Sequence, residues 1–169
     1  GLTRNGSHST DAAFGDFDDD GDIDLFITDS NASNSLLSNQ RQGVFKDITE
    51  KSGLKSKGGS SAVAVGDFNN DGFLDMFVTS TNGENSELYR NKGDGGFEPL
   101  KNYKKTFTAL SQVKVLDIKF FDFDNDGFLD IIIAGSSKQK GGRGLILYHN
   151  EGNGKFTDVS KLLPEETKS

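Results

Sequence analysis

The sequence predicts an all-β chain: three four-stranded antiparallel blades that form an incomplete β-propeller or part of a larger one. Three observations carry that expectation. An acidic nine-residue stretch occurs three times, an apolar strand pattern enters and leaves each copy, and an Asn-to-Phe turn signature follows in every repeat. The acidic stretches begin at Asp16, Asp67 and Asp122, 51 and then 55 residues apart. Four short strands in a repeat of roughly 40 to 50 residues is the pattern of a propeller blade.

Gly1 to Thr10 is small and polar and reads as a linker. Asn5-Gly-Ser7 and Asn31-Ala-Ser33 match the glycosylation sequon, a pattern common by chance. The first strand of each repeat shows an apolar face of period two: Ala12 and Phe14, Val63 and Val65, Ile118 and Phe120. The second strands, Leu25-Phe-Ile-Thr28, Met76-Phe-Val-Thr79 and Ile131-Ile-Ile-Ala134, are rich in β-branched and aromatic residues. They are apolar on both faces, with Ile23, Leu25 and Ile27 on one side and Phe26 on the other, so each must be sandwiched between neighbouring blades.

Leu36-Leu-Ser-Asn39, Leu88-Tyr-Arg-Asn91 and Leu147-Tyr-His-Asn150 form the third strands. Each closing Asn precedes a Phe by six residues across a Gly-bearing turn, and Phe45, Phe97 and Phe156 open the fourth strands. The clearest are Val44-Phe-Lys-Asp-Ile48 and Phe156-Thr-Asp-Val159. Blades are thus expected at about residues 10–50, 60–101 and 113–161. An insertion around Lys101-Asn-Tyr-Lys-Lys-Thr-Phe107 and the segment Ser136-Ser-Lys-Gln-Lys-Gly-Gly-Arg143 read as solvated connections. Three blades cannot close a ring of the usual four to eight. The missing blades are expected from the same parent chain, another chain or a second copy, and both ends of this array should expose a blade face.

The acidic stretches join the first and second strands and have the template D-x-[DN]-x-D-G-x-[IL]-D. Oxygen-bearing side chains stand at positions 1, 3, 5 and 9: Asp16, Asp18, Asp20 and Asp24; Asp67, Asn69, Asp71 and Asp75; Asp122, Asp124, Asp126 and Asp130. They converge when the backbone curls, and Gly21, Gly72 and Gly127 permit the left-handed conformation such a curl needs. Position 7 (Asp22, Phe73 and Phe128) varies in side chain, as expected of a residue that lends only its carbonyl. A cage of oxygens suits a hard cation, and calcium tolerates irregular six- to eight-fold geometry better than magnesium does.

An EF-hand loop would carry Glu at position 12 and flanking helices. Here position 12 is Ile27, Val78 and Ile133, inside strands. Plain solvated turns of Asp, Asn and Gly are the other alternative, but three copies with the same oxygen positions point to three calcium sites. Loop two is expected to bind most weakly because Asn69 replaces a carboxylate, and loop one most tightly because Asp19 and Asp22 add charge.

With 169 residues the chain suits one domain, and 14 Phe residues argue against disorder despite an apolar content of 33%. The formal charge of −7 lies largely in the three loops, and three calcium ions would bring it to about −1. This acidity excludes the basic stripe of a nucleic-acid binder. There is no Cys, hence no disulfide framework or thiolate chemistry, and no apolar run long enough for a membrane span. Calcium at extracellular levels would fill even modest sites, which favours an extracytoplasmic setting, secreted, cell-surface or periplasmic.

These residues resemble the FG-GAP/VCBS repeats of integrin α-subunit propellers and of many secreted or surface-attached bacterial proteins, over about residues 10–161. Phe45-Lys-Asp-Ile-Thr-Glu-Lys-Ser-Gly-Leu54 with Leu88-Tyr-Arg-Asn91 looks most like the UnbV/ASPIC and cartilage acidic protein branch. The resemblance implies a propeller fold and carries the metal loops over position by position. The Phe-Gly pair survives only as Phe14-Gly15, with no Gly-Ala-Pro after it, so the match is not to the integrin variant in detail.

The function expected from all this is a calcium-stabilised binding and adhesion scaffold, not an enzyme, whose partner is a protein or a glycan. A polysaccharide lyase or hydrolase is an alternative, but the loop carboxylates are committed to metal and no nucleophile elbow or phosphate-cradling motif occurs. His8 lies in the lead-in, and His149 occupies the slot of Ser38 and Arg90, a structural position. A lectin is a further alternative, with no Trp to stack on sugar but with Tyr89, Tyr103 and Tyr148.

Overall fold

A computed structural model describes residues 6–54, 56, 58–101, 105–152 and 154–164. Asn5 of the first sequon and Tyr103 lie outside these described residues. The elements run β1 (Ser9–Gly15), β2 (Asp24–Asp29), β3 (Ser35–Asn39), β4 (Phe45–Asp47), α1 (Thr49–Ser52), β5 (Ser60–Gly66), β6 (Asp75–Ser80), β7 (Glu87–Asn91) and β8 (Phe97–Pro99). After a 3₁₀ turn at Thr108–Gln112 follow β9 (Val113–Phe121), β10 (Asp130–Ser137), β11 (Leu145–Asn150), β12 (Phe156–Asp158) and a last 3₁₀ turn, Ser160–Leu162. They form three four-stranded sheets, each in sequence order and antiparallel throughout.

Register follows the apolar alternation. Phe14 stands opposite Leu25, Val65 opposite Met76 and Phe120 opposite Ile131, so these residues share the entry face of their blades. The alternate residues, Phe26 with Ala13, Phe77 with Ala64, and Ile132 with Lys119, share the exit face. The exit face of blade one, through Phe26 and Leu36, packs on the entry face of blade two, through Val63, Met76, Val78 and Tyr89. The exit face of blade two, through Ala62, Phe77 and Leu88, packs on Ile118, Ile131, Ile133 and Tyr148 of blade three. The two seams are the hydrophobic core, so most of the stability comes from stacking between repeats.

Several expectations need correction. Blade one does not bury both faces of β2: Phe26 is buried, whereas Ile23, Leu25 and Ile27 are exposed or half-buried because no described residue packs over them. The fourth strand of blade one shortens to Phe45–Asp47, with Val44 exposed. The insertion after blade two is more than a solvated loop. Phe107 and Leu110 are buried in the second seam, with the Phe107 ring centroid 4.8 Å from Phe77 and 4.7 Å from Tyr148. Ser136 and Ser137 extend β10 rather than opening a connection. No helix of the described residues is long and apolar enough to cross a membrane.

Candidate functional site

Each acidic loop links the first strand of a blade to its second, and its curl is held by its own carboxylates. Asp16 accepts from the backbone N–H groups of Asp20 (3.1 Å) and Gly21 (2.9 Å). The same pair recurs at Asp67, from Asp71 (3.0 Å) and Gly72 (2.8 Å), and at Asp122, from Asp126 (3.2 Å) and Gly127 (3.0 Å). The Gly at position 6 has φ of +86°, +92° and +89° in the three loops, the left-handed turn its spacing predicts. Position 4 is left-handed too, at Asp19, Asn70 and Asn125. Its restriction to Asp or Asn, the residues most tolerant of that region besides Gly, was the available signal.

Position 9 closes the loop from below. Asp24, Asp75 and Asp130 are fully buried. Asp75 accepts from Phe68 N–H (3.2 Å) and Asn91 N–H (2.8 Å), one for each carboxylate oxygen, and Asp24 and Asp130 repeat the arrangement. Oxygens of Asp16, Asp18 and Asp24 lie within 4.8 Å of one another, as do those of Asp122, Asp124 and Asp126. In loop two the Asn69 amide turns onto Asp71 (Nδ2 to Oδ2 3.0 Å), and no three-carboxylate group of this kind forms there among the described residues.

These groups are short of positive charge. Burial, and after it the neighbouring carboxylates Asp20 and Asp16, push the Asp18 carboxyl above its ordinary range. Burial likewise raises Asp24, and it raises Asp75 to about 7 against the backbone N–H bonds that favour its charge. Asp18 Oδ2 accepts from Ser38 Oγ at 3.3 Å, but Oδ1 is buried with no hydrogen-bond partner. In loop one the all-oxygen donor set, the raised Asp18 and Asp24 carboxyls and the orphaned Asp18 Oδ1 fit a hard divalent cation, whereas in loop three His149 Nδ1 joins Asp124 and Asp130 within 4.8 Å.

His149, in the slot of Ser38 and Arg90, turns toward its loop. Its Nδ1 stands 3.2 Å from Asp130 Oδ1 and 3.5 Å from Asp124 Oδ2, and its ring meets Phe123 edge-on. Ser38 turns to its loop in the same way, whereas Arg90 turns outward to Glu98 at 2.6 Å. A third-strand residue that reaches a loop in only two of three blades leaves no consistent sequence pattern.

Position 7 also uses its side chain. The Phe73 ring lies so close to Gly93 that a Cβ there would stand 2.5 Å from it, and Phe128 meets Gly152 in the same way at 2.6 Å. In blade one the equivalent pair is Asp22 and Arg41, joined at 2.6 Å, with Arg41 at φ +66°. Arg41 therefore offsets the extra charge expected of Asp22 in loop one. The double substitution Asp22→Phe with Arg41→Gly should be tolerated better than Asp22→Phe alone. A double-mutant cycle on thermal melts should show favourable coupling between the two sites; strict additivity would refute the exchange.

The closing Asn residues were read only as turn markers. Asn91 Nδ2 donates to Leu74 O (3.1 Å) in its own blade and to Phe17 O (3.0 Å) in the preceding one. Asn150 Nδ2 donates likewise to Leu129 O (3.1 Å) and Phe68 O (2.8 Å). They staple blades two and three each to its predecessor beside the acidic loop. Replacing Asn150 by Ala should cost about 2 to 3 kcal/mol, because it orphans the buried Phe68 carbonyl, and should lower the denaturant midpoint accordingly.

Stacked four-stranded antiparallel sheets, each bearing one acidic loop, define a repeat protein built of β-propeller blades. The FG-GAP-like repeat matches the chain three times, over residues 16–78, 67–133 and 122–168, and the chain belongs to that family. Among solved structures it is similar to a lectin of Agrocybe aegerita described by its specific recognition of non-reducing terminal N-acetylglucosamine. That match has a TM-score of 0.53 and 23% identity and covers 86% of this chain and 36% of the lectin. No curated protein sequence matches.

Proposed function

We propose that this chain is a calcium-binding propeller module, an extracytoplasmic scaffold for binding or adhesion with no catalytic role of its own. The observation that carries the reading is the buried position-9 carboxylate of each loop, Asp24, Asp75 and Asp130, with Asp24 within 4.8 Å of Asp16 and Asp18 oxygens and Asp130 within 4.8 Å of Asp124 and His149. Asp16, Asp18, Asp20 and Asp24 would hold the first ion, with Asp67, Asn69, Asp71 and Asp75 at the second and Asp122, Asp124, Asp126 and Asp130 at the third. The position-7 carbonyls of Asp22, Phe73 and Phe128 would complete the sets. A bound ion supplies the positive charge these carboxylates lack and locks the turn between the first two strands.

Titration calorimetry with calcium should resolve binding to the three loops, with loop two the weakest. Saturation at a hundred times the dissociation constant should add about 2.7 kcal/mol per site. A melting curve unchanged between calcium and EGTA would remove the reading. Extracellular calcium levels would keep such sites filled, which is the support for the extracytoplasmic setting.

A glycan-binding reading has one observation in its favour beyond the lectin's fold. An open cleft of about 360 Å³ lies between blades one and two, lined among others by Asp18, Ser38, Lys46, Lys51, Lys92 and Asp94. Tyr89 and Tyr148 are buried, so neither presents a ring to sugar. A glycan array should decide between a glycan and a protein partner.

A further inference from the structure

The three acidic loops share most of their carboxylates but differ in what the third strand adds to them. The residue just before each closing Asn is Ser38, Arg90 or His149. Ser38 brings a hydroxyl to Asp18 Oδ2 at 3.3 Å, so loop one keeps an all-oxygen donor set. Arg90 points away to Glu98, and loop two gains nothing. His149 is the only imidazole to reach an acidic loop among the described residues, since His8 Nδ1 meets Asn31 instead (2.7 Å).

Loop three is arranged around that ring. Its position-9 carboxylate groups with Asp124 and His149, whereas Asp24 in loop one groups with Asp16 and Asp18. His149 Nδ1 stands 3.2 Å from Asp130 Oδ1 and 3.5 Å from Asp124 Oδ2. Donors on a tetrahedral zinc ion, with bonds of about 2.0 to 2.2 Å, stand roughly 3.3 to 3.6 Å apart, so these three need little movement to share one ion. A proton serves them less well. Carried on Nδ1, it bonds to Asp130 Oδ1, which already accepts from the Asn150 N–H (2.8 Å), and it leaves Asp124 with no other hydrogen-bond donor among the described residues. A divalent cation between them neutralises both carboxylates and uses the imidazole lone pair. The cluster is fixed at its floor and open at its rim: Asp130 is fully buried, Phe123 holds the His149 ring edge-on at 5.8 Å, and the Asp124 side chain is 38% exposed.

We propose that Asp124, Asp130 and His149 form a mixed nitrogen and oxygen site that selects a divalent ion of the zinc class in place of calcium at loop three. This selection rests on the reading of loop three as a cation loop and concerns which ion that loop prefers. Calcium takes oxygen ligands, whereas imidazole suits zinc and its neighbours in the transition series. The two ions are alternatives, since both need Asp124 and Asp130. Loops one and two, without an imidazole, keep calcium, and loop three takes it only where the zinc-class ion is scarce. Three protein donors leave a fourth position on the solvent side, for water or for an oxygen of a bound partner.

The test is zinc binding to the 169-residue chain in saturating calcium, followed by calorimetry and by the side-chain nitrogen NMR resonances of its two histidines. One zinc ion should bind per chain, displace one calcium ion and shift the His149 Nδ1 resonance while those of His8 stay in place. His149→Ser, which installs the residue of blade one, should weaken zinc at least about a hundredfold, no less than the loss of an outer-shell partner costs, and should leave calcium bound at all three loops. His8→Ala should change neither. Melting curves establish that the variants fold, and the wild-type resonance shift requires no variant. Zinc that binds His149→Ser as tightly as the wild type, leaves the His149 resonance unmoved, or enters a calcium-loaded chain without displacing an ion would overturn the proposal with the calcium reading intact. Equal losses of zinc and calcium in His149→Ser would overturn it too, because the imidazole would then position the carboxylates without ligating. Zinc held at His149 by a chain that binds calcium nowhere would instead overturn the calcium reading and leave this site standing.

Discussion

Substituting Gly66 by Ala is expected to cost about 2 kcal/mol, and by Val about 3 kcal/mol or more, although the site is a strand end with no ligand role. The added Cβ meets Leu129 Cδ1 at 2.7 Å and Phe120 side-chain atoms at 3.3 Å, and both belong to the next blade. Gly66 is not in the left-handed region, so backbone strain contributes nothing and the whole loss is overpacking at the seam. For a chain of this length, 2 kcal/mol corresponds to a fall in melting temperature of roughly 4 to 8 °C. The diagnosis is made by coupling: in a Leu129→Ala background, already destabilised by its cavity, Gly66→Ala should cost little more. A Gly66→Ala penalty that persists undiminished in that background would show that the close approach is not its cause.

The strands and the loops were legible because both are written in local spacing. The alternation around Leu25 and Phe26 set the pleat, and the template from Asp16 to Asp24 set the curl, with each oxygen position named by its distance from a Gly. Contacts between repeats were much less legible. Asn91 and Phe17 are 74 residues apart, and nothing in either repeat states that the amide crosses the seam. Phe107 sits in a Lys-rich insertion of no periodicity, yet its ring fills a gap between Phe77 and Tyr148 that only stacked blades create.

The charge of the loops was legible as a sum, but its distribution required the fold. Asp22 added formally to loop one, and the structure spends it on Arg41. Asp75 looked like one ligand among four, yet it is the carboxylate whose burial raises it furthest: it is closed off from solvent, and among the described residues two backbone N–H groups donate to it.

That burial predicts opposite pH responses with and without metal. In EGTA, the Asp75 carboxyl has a folded pKa of about 7 against an ordinary value of 3.8, so the folded chain binds the proton more tightly than the unfolded one. The resulting stability is fully present below the unfolded value and is lost as pH rises through about 7, where the charge must be held without a cation. Asp18 and Asp24 are raised in the same sense. Asp94 and Glu151 are lowered, but both are exposed and screened, so they oppose the trend only weakly. The chelated protein should therefore melt at a higher temperature at pH 5 than at pH 7.5. With saturating calcium the sign reverses, because protons then compete with the ion for the same oxygens and acid releases it. Asp75→Asn should flatten the chelated slope and weaken calcium binding at loop two, since an amide neither titrates in this range nor accepts on both sides. Parallel slopes in EGTA and calcium would mean that these carboxylates are not the ones the cation neutralises.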